Sequence, residues 1–310
     1  MGTIFFVNGF LEAGKTTFIK ELLSRDSFKI QGKTLILLCE EGDEEYSDEE
    51  LKASNSALEL IEKREDFNED NLIEIEKKYK PERVIVEYNG MWDRKNLEFP
   101  WYWKDVMEIA IFDATTFKLY SDNMRSILAE QVRHAELVFF YKADEARDKL
   151  SLYARNIKAI NNSAAFVFRG KKGDIILDPD ENLPYDISKD ELDLSEESFA
   201  VMCMDSLERY ELYKGKKVHF KAKAFKMKDG GDLEFIAGSF VMTCCEADMS
   251  FMGIICGYPK AHELENKEWV EVTGILRTIY DEELGRELPA CRVIELKRGV
   301  EPGNDFVSLV

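Results

Sequence analysis

The sequence predicts an α/β domain built on a parallel sheet, followed by a small all-β domain, and three observations predict it. Short β-branched and aromatic runs alternate with helix-length amphipathic segments through the first half. A polar, acidic stretch with breakers at Asp178, Pro179 and Pro184 interrupts that rhythm. After Tyr213 the text becomes strands punctuated by Gly215, Asp229, Gly230, Gly231, Gly257, Gly274 and Gly285. The expected boundaries are therefore 1–170 for the α/β domain, 171–205 for an acidic linker, and 206–310 for the β-domain. Five-stranded, OB-like barrel closure is the expectation for the last.

The α/β strands are predicted at Thr3 to Val7, Thr34 to Leu38, Arg83 to Glu87, Met107 to Asp113, Leu137 to Tyr141 and Ala165 to Phe168. Between them, Thr16 to Leu23, Asp48 to Glu62, Asn68 to Tyr79, Thr116 to Ala135 and Glu145 to Ile160 carry helical periodicity. With 310 residues, each domain has enough chain for its own core. A formal charge of -19 argues against a polyanionic partner, although Lys214 to Lys228 is locally basic, so nucleic acid is not an expected partner. The longest apolar runs, Ile4 to Val7 and Leu35 to Cys39, fall far short of the ~20 residues of a membrane-spanning helix, and no signal-peptide layout is present. A cytosolic location follows as the expectation. Six scattered cysteines favour thiols or metal ligation over a disulfide scaffold.

Gly9-Phe10-Leu11-Glu12-Ala13-Gly14-Lys15-Thr16 has the spacing of a P-loop and stands between a predicted strand and a predicted helix, the context the motif requires. Its glycines let successive amides, including those of Glu12, Ala13, Gly14 and Thr17, turn toward phosphate oxygens at a helix N-terminus. In that chemistry Lys15 bridges the β- and γ-phosphates and the Thr16 hydroxyl ligates Mg²⁺. A metal-side carboxylate is expected at the end of a neighbouring buried strand. Glu87, closing Val84-Ile85-Val86 and followed by Gly90, supplies it. Asp113 ends the next strand in the same way, and a turn-forming role before Thr115 is an equal alternative. Guanine recognition uses Asn-Lys-x-Asp after a strand. Here Tyr141-Lys142-Ala143-Asp144 keeps the lysine and aspartate but replaces the asparagine, so Asp144 reads either as a guanine acceptor or as a helix cap.

Together these residues resemble the metallocenter-assembly GTPases that include CobW, HypB and UreG. The resemblance covers roughly residues 2 to 170. It rests on GFLEAGKTT at Gly9 to Thr17, VEYNG at Val86 to Gly90, Asp113, EQVRHAEL at Glu130 to Leu137, the YKAD stretch, and the segment Arg155 to Asn161 followed by Ala164. It implies a slow, Mg²⁺-dependent GTPase that gates metal delivery, with Lys15 and Glu87 as catalytic residues. No arginine finger is identifiable, so completion of the site by a partner or a second copy is expected. The chain departs from the family in one respect. The Cys-x-Cys-Cys metal motif after the second strand is reduced to Cys39, followed by an acidic run from Glu40 to Glu50 that reads either as part of a cation site or as a solvated loop.

The β-domain offers Cys244-Cys245-Glu246-Ala247-Asp248. Adjacent cysteines on a strand point to opposite faces, so Cys244, Cys245 and Asp248 could share one Zn²⁺ only if the strand ends or bulges there. The alternative is a pair of small buried hydrophobes. Residues from about 205 to 310, notably Gly215 to Phe225, Phe240 to Tyr258 and Trp269 to Leu276, resemble the soluble C-terminal region of the bacterial two-component permease subunit family. That resemblance implies metal homeostasis and docking on a membrane permease, with a nucleotide-sensing regulatory subunit as the rival to a metallochaperone with a metal-enzyme client. Two further groups are read from the residues alone. His134, His219 and His262 lack ligand-spaced partners. The cluster Trp92, Trp101, Tyr102 and Trp103 reads as packing or as a partner anchor.

Overall fold

The computed structural model describes all residues except 1–2, 96, 179, 181–182, 228–232, 246–247, 283–284 and 309–310, and its side-chain description also omits 243–245, 248 and 308. The chain divides into two compact units, Met1–Leu177 and Asp178–Val310.

The first unit contains strands β1 (Ile4–Asn8), β2 (Thr34–Leu38), β3 (Ser56–Leu60), β4 (Arg83–Glu87), β5 (Val106–Asp113), β6 (Leu137–Tyr141), β7 (Ala165–Gly170) and β8 (Gly173–Asp174). They form one sheet in the order β3-β2-β4-β1-β5-β6-β7-β8, parallel from β3 to β7 and antiparallel at β8. Its helices are α1 (Lys15–Ser24), α2 (Asp48–Ala53), α3 (Glu69–Tyr79), α4 (Phe117–Asn123), α5 (Arg125–Val132) and α6 (Leu150–Ile160). Central strands such as β4 are buried throughout, which is why they read as unbroken apolar runs. Alternate residues feed opposite faces. Phe6, Leu35, Val84 and Val86 pack with Leu72 and Ile75 of α3, while Val7, Ile36 and Ile85 pack with Phe18, Ile19 and Leu23 of α1.

The structure corrects three of the expected helices. The one expected over Asp48 to Glu62 stops at Ala53, because Asn55 adopts a left-handed φ of 50° and bonds Gly32 O through its side chain at 2.9 Å. Ser56–Leu60 then extends as edge strand β3, in register with β2 from Thr34↔Ser56 to Leu38↔Leu60. The segment Thr116 to Ala135 breaks at Met124 (φ -131°, ψ 38°), giving α4 and α5. The expected Glu145 to Ile160 helix begins as a 3-10 stretch, kinks at Ala146, and becomes α-helical only from Leu150.

The second unit contains β9 (Glu191–Leu194), α7 (Glu196–Tyr213), β10 (Lys217–Phe225), β11 (Glu234–Cys245), β12 (Asp248–Gly257), β13 (Trp269–Asp281), β14 (Arg286–Arg298) and β15 (Phe306–Ser308). Neighbour pairings run β10 to β11, β11 to β12, β12 to β14, β14 to β13 and β13 back to β10, so five strands close a ring. β9 and β15 add in parallel outside it, on β10 and β11. The expected linker over 171–205 is largely part of this unit. In β9 the buried Leu192 and Leu194 alternate with exposed acids. α7, capped by Ser195 on the Ser198 amide, sends Phe199 to stack on Phe220 at 4.2 Å. Solvent-facing acids of a buried strand and helix had the composition of a linker. Among the described residues no helix is long and apolar enough to cross a membrane.

Candidate functional site

β1 and β4 run parallel with Val7 opposite Glu87, so the end of β1, the loop that leaves it and the carboxylate closing β4 are placed together. Gly9 opens the loop at φ 148°, and a Cβ there would stand 2.2 Å from Ile111 O, so only glycine fits. The loop turns through Ala13 N to Phe10 O (3.2 Å) and enters α1 at Gly14. Lys15, 5% exposed, donates to Gly9 O and Phe10 O at 2.9 Å each and to Glu40 Oε2 at 2.6 Å. Thr16 Oγ1 donates to Glu87 Oε1 at 2.6 Å, and Tyr46 OH donates to the other carboxylate oxygen at 2.6 Å.

Burial raises the Glu87 carboxyl above its ordinary value, against the opposing pull of the Thr16 and Tyr46 hydrogen bonds and of Lys15. Asp113 lies at the end of β5. Burial pushes it up too, but bonds from Lys142 and from the Thr115 hydroxyl and amide outweigh that and hold it below the usual carboxylate range. Lys142, in left-handed conformation at φ 52°, pairs with Asp113, and both line a cavity of about 380 Å³.

Most of the residues expected from sequence converge there. Glu12, Ala13, Gly14, Lys15, Thr16, Thr17, Glu87 and Lys142 line the cavity, and Gly9 shapes the loop beneath it. Asp144 is not among the lining residues; its Oδ1 accepts from the Lys171 amide at 3.1 Å. Cys39 is buried among apolar side chains and its thiol is pushed up by that burial, while Glu40 and Glu44 after it pair with Lys15 and Lys20. No group of three or more potential metal-ligating side chains occurs among the described residues. The side chains of Cys244, Cys245 and Asp248 lie outside those described; in the backbone Cys245 stands opposite Asp248 where β11 meets β12, after a register shift between Met242 and Cys245 that takes in Cys244. His134 and His262 are exposed, and His219 bonds Thr273 Oγ1 at 2.9 Å. Trp103 is buried and donates to Glu76, Trp92 packs in the same cluster, and Trp101 is 75% exposed.

Sequence reasoning weighed Glu40 as a cation ligand beside Cys39 and not as the partner of Lys15, and it did not single out Tyr46. The signal was available in the topology. β2 lies beside β4 with Leu38 opposite Glu87, and Cys39 N bonds Glu87 O at 2.9 Å, so whatever follows Cys39 must emerge over the P-loop.

Residues 3–168 match the CobW/HypB/UreG nucleotide-binding domain and residues 178–308 the DUF1980 C-terminal domain. UPF0703 protein YcgQ of Bacillus subtilis (strain 168) is 23% identical over 121 residues, 39% of this chain and 42% of that protein, so the chain spans less than half the length of this relative. Among solved structures, the hydrogenase maturation factor HypB from Archaeoglobus fulgidus aligns at 16% identity and TM-score 0.41, over 55% of this chain and 82% of that one. Zn(II)-bound YjiA GTPase from E. coli aligns at 18% and 0.38, over 84% and 96%. Because the first match takes in more than half of the chain and falls on the unit that carries the cavity, the protein belongs to the CobW/HypB/UreG family of nucleotide-binding proteins, with a DUF1980 C-terminal domain as its second unit.

Proposed function

We propose that this chain binds GTP with Mg²⁺ in the P-loop cavity, hydrolyses it slowly, and uses the nucleotide state to gate metal delivery or metal homeostasis. The observation that carries the reading is the joint placement of Lys15, Thr16 and Glu87 at the head of α1, under one cavity. The residues fit the implied cation. A hydroxyl and a carboxylate, hydrogen-bonded to each other and both buried, offer the hard oxygen donors Mg²⁺ takes. Thr16 would hold it directly, with Glu87 beside it. When bound, Mg²⁺ neutralises charge developing on the phosphates. The loop amides and the N-terminus of α1 orient the triphosphate, and Lys15 supplies positive charge to its outer end. Tyr46 and Thr16 fix the Glu87 carboxylate from both oxygens, which keeps it oriented as the site fills.

Guanine preference rests on Lys142 at the cavity and Asp144 on the following turn, whose carboxylate is steadied by the Lys171 amide. The second unit we read as an OB-like barrel, supported by the strand ring and by the parallel pairing of β12 with β14 that closes it. Calorimetry on the full chain is expected to show tighter binding of GTP than of ATP, and loss of binding in Lys15→Ala. Equal affinity for the two nucleotides would remove the role given to Asp144. Unchanged binding in the variant would remove the P-loop assignment itself.

A further inference from the structure

The ammonium of Lys15 has three hydrogens to donate, and three acceptors take them: Gly9 O, Phe10 O and Glu40 Oε2. With side chains 4% and 11% exposed, the Lys15–Glu40 pair is shielded from water. A phosphate oxygen can therefore engage Lys15 only if one of these three partners leaves. Two are main-chain carbonyls of the loop, fixed by its turn and by β1 behind it. Glu40 is different in kind. It is the second residue beyond β2, and it opens an acidic segment whose residues 41, 43, 44 and 45 are exposed.

The charges make the competition directional. A lysine at this position serves the β- and γ-phosphates of a nucleotide. A carboxylate left beside a terminal phosphate would be repelled at close range in a partly dehydrated site. A diphosphate carries less negative charge and has no γ-phosphate to bring against the ammonium, so its repulsion of Glu40 is smaller. We propose, resting on the reading of this cavity as a guanine-nucleotide site, that Glu40 is a specificity-determining residue that sets the balance between triphosphate and diphosphate. Its carboxylate stands in for the terminal phosphate on Lys15, and only the triphosphate expels it.

Expulsion has somewhere to go. From Glu40 to Glu50 the segment is tied to the P-loop side by Asp43 N to Glu12 Oε1 (3.2 Å), Glu44 to Lys20 (2.6 Å), Glu50 to Lys20 (3.1 Å) and Tyr46 OH to Glu87 (2.6 Å). Releasing Glu40 removes the Lys15 ion pair that precedes these ties, so the terminal phosphate is reported to the acidic segment through that one pair.

The test is calorimetry of the full chain with GDP and with a non-hydrolysable GTP analogue, on the wild type, Glu40→Gln and Glu45→Gln. Glu40→Gln keeps the size and an acceptor oxygen but loses the charge. It is expected to bind the triphosphate analogue about tenfold tighter, on the scale of one charge-assisted contact, with GDP changed far less. Glu45→Gln, which removes a neighbouring exposed charge, should leave the ratio of the two affinities as in the wild type. Amide hydrogen exchange over residues 40–46 should rise with the analogue but not with GDP, and should already be raised in nucleotide-free Glu40→Gln. An unchanged ratio in Glu40→Gln, a weaker triphosphate, or exchange that responds alike to both nucleotides overturns the role of Glu40 while the nucleotide site stands. A wild type that binds neither nucleotide overturns the site and this inference together.

Discussion

Gly90 shows how little room separates the parts of this site. A Cβ on it would lie 2.1 Å from Gly9 O and 2.9 Å from Gln131 Nε2, the atom that donates to Gly90 O at 3.0 Å. Gly90 follows β4 by three residues, so the chain that carries Glu87 passes directly over the P-loop backbone. Gly90→Ala forces the two apart, and backbone does not yield as a flexible side chain would. The expected cost is about 1–3 kcal/mol in the first unit, the usual range for overpacking, measured by urea unfolding. GTP affinity should fall in the same variant, because Gly9 O is also a ligand of the Lys15 ammonium. An alanine variant with wild-type midpoint and affinity would show that the loop can shift freely.

At the scale of elements, the segment between β2 and β3 combines one firm anchor with much exposure. α2 is only six residues long and buries none of them, yet Ser47 and Glu50 form a complete capping box on it. Ser47→Ala is expected to cost about 1 kcal/mol of local helix stability. Faster amide exchange confined to residues 48–53 is the reading, and equal protection would show that the Lys20 ion pairs alone hold α2 in place. The same segment marks the limit of sequence legibility. Buried strands such as β4 and β6 and the loop from Gly9 to Thr16 were readable because their residue types have one dominant use. Ser56–Leu60 was read as helix, since an edge strand with intermediate burial has no clean period and its extension depends on the left-handed turn at Asn55 and on the neighbour β2. Glu87 was legible as an acid ending a buried strand. Its hydrogen bond from Tyr46 was not, because that contact spans 41 residues and is made by topology.

At the scale of the whole molecule, each unit carries apolar clusters of its own. Among the described residues, one cluster lies within residues 185–296 and the other three lie within residues 4–177. Each unit thus has its own cooperative core. Cutting the chain between Leu177 and Asp178 is expected to yield two fragments that each unfold in one sigmoidal step, the first retaining GTP binding. A fragment that stays unfolded alone would show that the partition of the core is incomplete. Acidic residues of β9 and α7 hid this boundary from the sequence, because the eye weighs their polar face more than Leu192, Leu194 and Phe199 beneath it. The strand ring has a consequence for how such a unit is reused. Its five members satisfy one another around a circuit, while β9 and β15, the first and last strands in chain order, lie outside that circuit. New polypeptide can be spliced on at either side without breaking a pairing inside, which makes the module portable between otherwise unrelated proteins.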